Sequence, residues 1–413
     1  MISQAGLATR RWNLGAFVFG AYTLFLAGFY FVPNAVDLYK YYIALVFFPG
    51  LFLLGGVLKD GMRSPIWISV VLYVTYMLFS SLWSAQLSGE SLWRDARYAA
   101  YILVFMLLTV HFQRHNPRWP DFALTLVTGV VIVAGLASIL LFEPTYQLPA
   151  LTEERMAGLG IANNMNPSAF MYGLFGVVAL ERALRFRGRW PTYFFAAGYA
   201  VIVLFIVLTQ SNTALLALIA SSALLLLLGQ HRSVRSVVLG LGFAGIVVVY
   251  LAWSLGLLNA PTDLGFTLRF PIWQHVVEQW QLSPVFGNGY QKEIVLTPRG
   301  VESGVNYAHS LFLGTLRDGG IVGLVLLLAV YGLALLQGVR MVLARQDVLF
   351  PVLFAFGAVV VLVDTDQALT RPKELWIILW MPLGYLIAAE LGAAMGRSDS
   401  AAVMMAPDEN KTA

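Results

Sequence analysis

Stretches of mostly apolar residues, each close to the length that crosses a lipid bilayer, recur from one end of this chain to the other. A spanning helix needs about 20 such residues, because a rise of roughly 1.5 Å each must cover about 30 Å of hydrocarbon. The stretches fall at 13–33, 41–58, 65–86, 98–112, 122–142, 166–181, 192–209, 213–229, 236–258, 320–338, 349–363 and 375–395. In lipid every backbone N–H and C=O must find its partner within the protein, so a chain built this way folds as a helical bundle. The expectation is one all-α polytopic membrane domain over 1–413, with about twelve transmembrane helices.

Composition supports that solvent. Hydrophobic residues make up 59% of the chain and charged residues only 12%, far from an ordinary soluble protein. Cysteine is absent, which excludes thiolate metal sites, iron–sulfur clusters, disulfides and cysteine nucleophiles. The formal charge of +4 comes from basic residues interspersed between apolar stretches, not gathered in one domain, so nucleic acid is not an expected partner. Arg10-Arg11 precedes the first span like a twin-arginine signal, but the span is too long and lacks a convincing cleavage site, so it reads as a retained helix.

With the N-terminus inside, sixteen of the 26 Lys and Arg residues fall on the inner side and ten on the outer. That bias sets both termini in the cytoplasm of a multi-pass protein of the bacterial inner membrane. Inner connections are short and basic. The outer, periplasmic side carries three longer segments, 87–97, 143–165 and the large loop 259–308, where function is expected. The tail 396–413 is polar, cytoplasmic and read as disordered.

The large loop contains Arg269-Phe270-Pro271-Ile272-Trp273-Gln274-His275-Val276-Val277-Glu278-Gln279-Trp280. Pro271 suits a first helical turn. The short helix that follows places Trp273, Val276 and Trp280 on one apolar stripe, with Gln274 and Glu278 pointing elsewhere, and should lie along the membrane interface. Were the helix extended back to Arg269, that side chain would project near the stripe. Ser283 to Tyr290 is turn-rich, with Gly287 and Gly289 allowing left-handed backbone. Asn306-Tyr307-Ala308-His309-Ser310-Leu311 then opens an apolar helical run interrupted at Arg317-Asp318-Gly319-Gly320.

Gly287 and Gly289 followed by His309-Ser310, then Gly320 and Gly323 before a hydrophobic span, with Arg269 and Trp273 upstream, resemble the O-antigen ligase and polymerase superfamily. Arg155-Met156-Ala157-Gly158-Leu159-Gly160 and Asn166-Pro167 extend the likeness. Chain length, span number and one large outer loop before the histidine look most like the ligase branch. The resemblance implies a glycosyltransferase C-like membrane fold. It also implies transfer of a preassembled glycan from undecaprenyl diphosphate to a hydroxyl of lipid A-core oligosaccharide, inverting, with no nucleotide sugar, cofactor or metal. Carried over, His309 is the general base or an acceptor-orienting group and Arg269 binds diphosphate, with Trp273 and Tyr307 beside the substrate. The family often has a serine-arginine pair at the end of a middle span. Here Gln210-Ser211-Asn212-Thr213 stands there, which leaves that arginine role to Arg155 or Arg317.

The chemistry fits those residue types. A sugar hydroxyl attacking an anomeric carbon must lose a proton, and histidine titrates near working pH. A lipid diphosphate leaves well once its charge is neutralised, which arginine does through a planar, permanently charged fork. Taken alone, an interface histidine is more often structural than a base, and an arginine beside Trp is as often a snorkelling residue. Asp364 and Asp366, at the outer end of the eleventh span, either pair with Arg371 or orient a catalytic group, simple pairing being the commoner case. His111 and His115 have metal-ligand spacing without an apparent third ligand, so no metal is expected there. An O-antigen polymerase or protein O-oligosaccharyltransferase shares the donor chemistry. A lipid-linked glycan transporter is the alternative of another class, against which the uncharged span centres argue.

Overall fold

A computed structural model describes residues 4–142, 155–161, 164–186, 188–229, 266–290, 307–365 and 367–405. The expected span 236–258 and Asp366 lie outside them. Among the described residues the regular structure is helical throughout, with no strand. The first half contains α1 (Gln4–Gly28), α2 (Ala35–Leu51), α3 (Gly55–Gly61), α4 (Pro65–Ser80), α5 (Gly89–His115) and α6 (Trp119–Leu140). The second half contains α7 (Met165–Arg185), α8 (Arg189–Thr209), α9 (Asn212–Leu228), α10 (Phe266–Trp280), α11 (Leu311–Leu343) and α12 (Leu349–Val363). A π-helical turn, Trp376–Trp380, leads into α13 (Met381–Met405).

Six of these helices are long and apolar enough to cross a membrane, and a seventh crossing is made if the bent pair α2 and α3 counts as one. Leu14–Gly28, α9 and α12 are shorter apolar helices. Large apolar side chains such as Leu24, Phe31, Leu72, Phe79, Val133 and Leu328 face outward, as lipid requires of a multi-pass membrane protein and water would not tolerate in such number. Inside, polar side chains are paired across helices. Tyr22 Oη lies 2.6 Å from Thr109 Oγ1, Tyr73 Oη 2.8 Å from Thr315 Oγ1, and Tyr42 donates to the Tyr101 carbonyl at 2.8 Å.

Local chemistry sets the helix starts. Ser64 caps α4 with Pro65 at its first position, Ser88 and Ser91 form a capping box on α5, and Ser310 accepts from the Leu313 N–H at the start of α11. Helix α7 is the centre of the second half, buried from Ser168 to Arg182 and packed on α8, α9 and α12.

Four expectations need correction. The stretch 41–58 is not one straight span, since α2 and α3 meet at 82°; the adjacent Gly55 and Gly56 weaken continuation there. Helix α5 starts at Gly89, well before 98, because the capping box recruits the polar turn. Pro271 lies inside α10, not in its first turn, so Arg269 is helical. The chain past Gly396 continues as helix to Met405, through Ala and Met residues that favour helix. The eleventh stretch matches α12 end for end. Away from the site-bearing ends, His111 and His115 stack at 4.1 Å, with His115 Nδ1 2.9 Å from the His111 carbonyl oxygen.

Candidate functional site

Four separate pieces of chain meet at one end of the bundle: the first turns of α9, the loop helix α10, the segment Tyr307–Ser310 and the last residue after α12. Arg269 is placed by the packing of α10. Ile272 and Val276 are buried against Ala308, with Leu313 beside them, so the helix is seated on the start of α11. The buried face is therefore one residue off the expected stripe, with Trp273 and Trp280 half-buried at its sides and Gln274 and Glu278 exposed as expected.

From that seat Arg269 Nη2 donates to Asp364 Oδ2 at 3.1 Å, and Nη1 to Thr213 Oγ1 at 3.3 Å. The other Asp364 oxygen, Oδ1, accepts from the Thr365 N–H at 2.8 Å and lies 3.5 Å from His309 Nδ1. That last distance is within ion-pair range yet outside hydrogen-bond geometry, so Nδ1 has no hydrogen-bond partner here. One carboxylate thus bridges the arginine and the histidine, with all three side chains less than a fifth exposed. Asp364 does not pair with Arg371 as simple proximity in sequence suggested; its partner comes from 95 residues away. The Tyr307 ring lies 4.1 Å from the His309 ring.

The backbone around this carboxylate is strained. His309 has φ +50° and Thr365 φ +60°, both in the left-handed region. Such a residue costs of order 1–3 kcal/mol and persists where surrounding structure overrides it; a β-branched Thr there is rare. Both residues flank the Asp364 carboxylate, His309 through its ring and Thr365 through its N–H.

Arg155 approaches the same end from the preceding connection. Its Nε donates to the Thr209 carbonyl at 2.9 Å and its Nη2 to Asn166 Oδ1 at 2.6 Å, which sets it at the junction of α8 and α9. Burial lowers the guanidinium pKa, and the charge of Asp364 works in the opposite sense. Helix α9 begins at Asn212 without a side-chain cap, so its N-terminal dipole faces this neighbourhood. Glu374 is a neighbour that sequence reading missed. Burial pushes its carboxyl above the ordinary range, Lys373 opposes this, and Asp364 adds to it. Thr213 and Asn166 were visible in quoted motifs, yet nothing in their spacing marked them as arginine partners.

Arg317 is held elsewhere. It is buried at a break in α11, where Nε donates to Asp318 Oδ1 at 2.8 Å and Nη2 to Oδ2 at 3.2 Å. The break is at Gly320 (φ 64°, ψ −162°), and the turn-rich segment fills it like an added strand. The Asn288 and Gly289 N–H groups donate to the carbonyls of Arg317 and Asp318 at 2.9 Å each. Ile321 and Val322 donate in return to Pro284 and Val285 at 2.9 and 3.2 Å. Asn288 Nδ2 reaches the Gln279 and Arg317 carbonyls at 3.0 and 3.1 Å, and Tyr76 donates to Gly319 at 2.7 Å. Gly287, at φ +74°, is required because a Cβ would run into the Asp318 carbonyl. The segment that ends α10 is thereby fixed to the core.

Residues 197–328 match a protein-family model described as O-antigen ligase. That region contains Thr213, Arg269, His309 and the break at Gly320, while Arg155 and Asp364 lie outside it. The chain is also 26% identical over 372 residues to a protein from Pseudomonas aeruginosa named O-antigen ligase, covering 88% of each chain. Through a matched domain and through most of its length, this chain is thus similar to O-antigen ligases.

Proposed function

We propose that this protein is an O-antigen ligase, moving a preassembled glycan from undecaprenyl diphosphate to a hydroxyl of lipid A-core oligosaccharide at the periplasmic face of the inner membrane. The observation that carries the reading is the Asp364 carboxylate joining Arg269 to His309. With Nδ1 turned to Asp364, the imidazole presents Nε2 to the acceptor, and the aspartate holds that orientation and stabilises the imidazolium as it forms. The acceptor hydroxyl gives its proton to Nε2 while its oxygen bonds to the anomeric carbon. The bond from that carbon to the diphosphate oxygen breaks, its electron pair leaves with the diphosphate, and configuration inverts.

Arg269 and Arg155 receive the leaving charge, aided by the N-terminus of α9, and this supplies the neutralisation that a divalent metal gives elsewhere. Arg155 takes the role of the arginine absent at Asn212. Trp273 and Tyr307 border the sugar-bearing end, and Asp366 stands beside the bridge in sequence. Arg317 is a buried support of the break. The assignment keeps the whole chain as one membrane domain, with 259–308 as the large periplasmic loop and the tail from 396 in the cytoplasm. The relative's name favours a ligase over a polymerase, whose acceptor is a second undecaprenyl-linked glycan.

The test is reconstitution of purified protein with undecaprenyl-diphosphate-linked glycan and lipid A-core in EDTA. Formation of the conjugate, lost in His309→Ala and Arg269→Ala, is the expected result. Extension of donor-linked chains alone would make the protein a polymerase, and flux across sealed vesicles without transfer would make it a transporter.

A further inference from the structure

Helix α12 closes its last turn normally, with the Asp364 N–H donating to the Val360 carbonyl at 2.9 Å, but the next residue, Thr365, stands at φ +60°. Left-handed backbone just past a helix is the usual place of glycine, and the N–H there commonly returns to a carbonyl of the last turn. Here the Thr365 N–H goes to Asp364 Oδ1 at 2.8 Å instead. Of the four described non-glycine residues at positive φ, Gln210, His309, Arg345 and Thr365, it is the one with a branched Cβ, for which the conformation is least favourable.

The side chain gives the fold no hydrogen bond in return. Thr365 is 8% exposed, its Oγ1 is closed off from solvent, and among the described residues that hydroxyl has no hydrogen-bond partner. A glycine would donate the same N–H bond without strain. Backbone strain collects where a site needs a particular side chain, and a buried hydroxyl without a partner calls for one.

The position of Thr365 narrows what that partner is. Asp364 Oδ1, the oxygen held by the Thr365 N–H, is also the one 3.5 Å from His309 Nδ1, whereas Arg269 takes Oδ2. Thr365 therefore stands on the histidine side of the bridge. The carboxylate beside it repels a second anion, so a phosphate is a poor match there. A threonine hydroxyl, one donor with two acceptor positions, suits the neutral hydroxyls of a sugar.

We infer that Thr365 is a substrate-binding residue, whose hydroxyl bonds to a sugar hydroxyl of the acceptor neighbouring the one that His309 deprotonates. This rests on the ligase reading, which sets the acceptor against His309 and the donor diphosphate against Arg269 and Arg155.

The experiment uses the full chain in nanodiscs and compares wild type, Thr365→Val and Thr365→Ser. Thermal unfolding, transfer kinetics with donor and acceptor varied in turn, and binding of lipid A-core by native mass spectrometry are measured for each. Valine keeps the branched Cβ and removes only the hydroxyl. It should leave the unfolding temperature unchanged or higher, because an unpartnered buried hydroxyl is gone, and should raise acceptor KM about tenfold with donor KM unchanged. Lipid A-core binding should weaken by a similar factor. Serine keeps the hydroxyl and should restore acceptor KM to within about twofold of wild type. A destabilised Thr365→Val protein with the wild-type acceptor KM would make the hydroxyl structural and overturn the assignment. A rise in donor KM in place of acceptor KM would overturn it in favour of a contact with the donor sugar. If wild type binds lipid A-core but transfers no glycan, the ligase reading fails; weaker binding by the valine variant would then leave this contact standing, and equal binding would remove it as well.

Discussion

Two Arg–Asp pairs at the same end of this bundle have opposite characters. Arg317 and Asp318 are sequence neighbours, both about 2% exposed, joined by two bonds in a helix break whose freed backbone groups are met by the 284–289 segment. Arg269 and Asp364 come from distant helices, share one 3.1 Å bond, and are flanked by a histidine 3.5 Å away and by two residues in left-handed backbone. The first arrangement is held from two sides, by its own ion pair and by the backbone bonds of the segment that fills the break. The second keeps a buried Nδ1 without a hydrogen bond beside strained backbone. Strained backbone persists where surrounding structure overrides it, and it collects at functional sites.

The comparison is broken or sharpened by substitutions on its two sides. The largest effect is expected at the site itself. Arg269→Ala and His309→Ala should each lower glycan transfer by about 100-fold or more at unchanged thermal stability; a folded His309→Ala protein with full activity would end the general-base role. Asp364→Asn keeps the shape and removes the charge, and should reduce kcat by about 10- to 100-fold with little change in donor KM. A pure rise in KM would instead make Asp364 a binding residue. Arg155→Gln should raise donor KM by about tenfold with a smaller fall in kcat. Activity indifferent to it would return that role to another cation.

On the side of the helix break the losses should be of stability. Asn288→Ala strips hydrogen bonds from two carbonyls and should cost about 1–3 kcal/mol in detergent unfolding. Its remaining folded fraction should keep most of its specific activity. If activity falls in that fraction while stability holds, the break is part of the catalytic apparatus and the distinction between the two pairs fails.

Much of the fold was legible because lipid imposes one rule on every span, and α6, α8 and α12 fall where apolar length alone puts them. The departures occur where other forces compete: a capping box that extends α5, a sharp bend between α2 and α3 just before a Gly-Gly pair, and tertiary seating of α10 that carries helix through Pro271. Of the site, Arg269 and His309 stood out by motif, but the carboxylate that joins them did not. Sequence proximity favoured Arg371 as the partner of Asp364, and no local pattern encodes a contact across 95 residues. The departure of the chain segment past Leu140 from any periodic pattern likewise hid the approach of Arg155 to the end of α8.

The single carboxylate of the bridge also has a place in time. In chain order the cluster reads Arg155, Thr213, Arg269, His309, Asp364, so the aspartate is the last of the five to leave the ribosome. A nascent protein halted after α11 has the arginines and the histidine in the membrane but lacks the anion that draws them together. Completion of the cluster therefore waits for the synthesis of α12, whose end supplies Asp364.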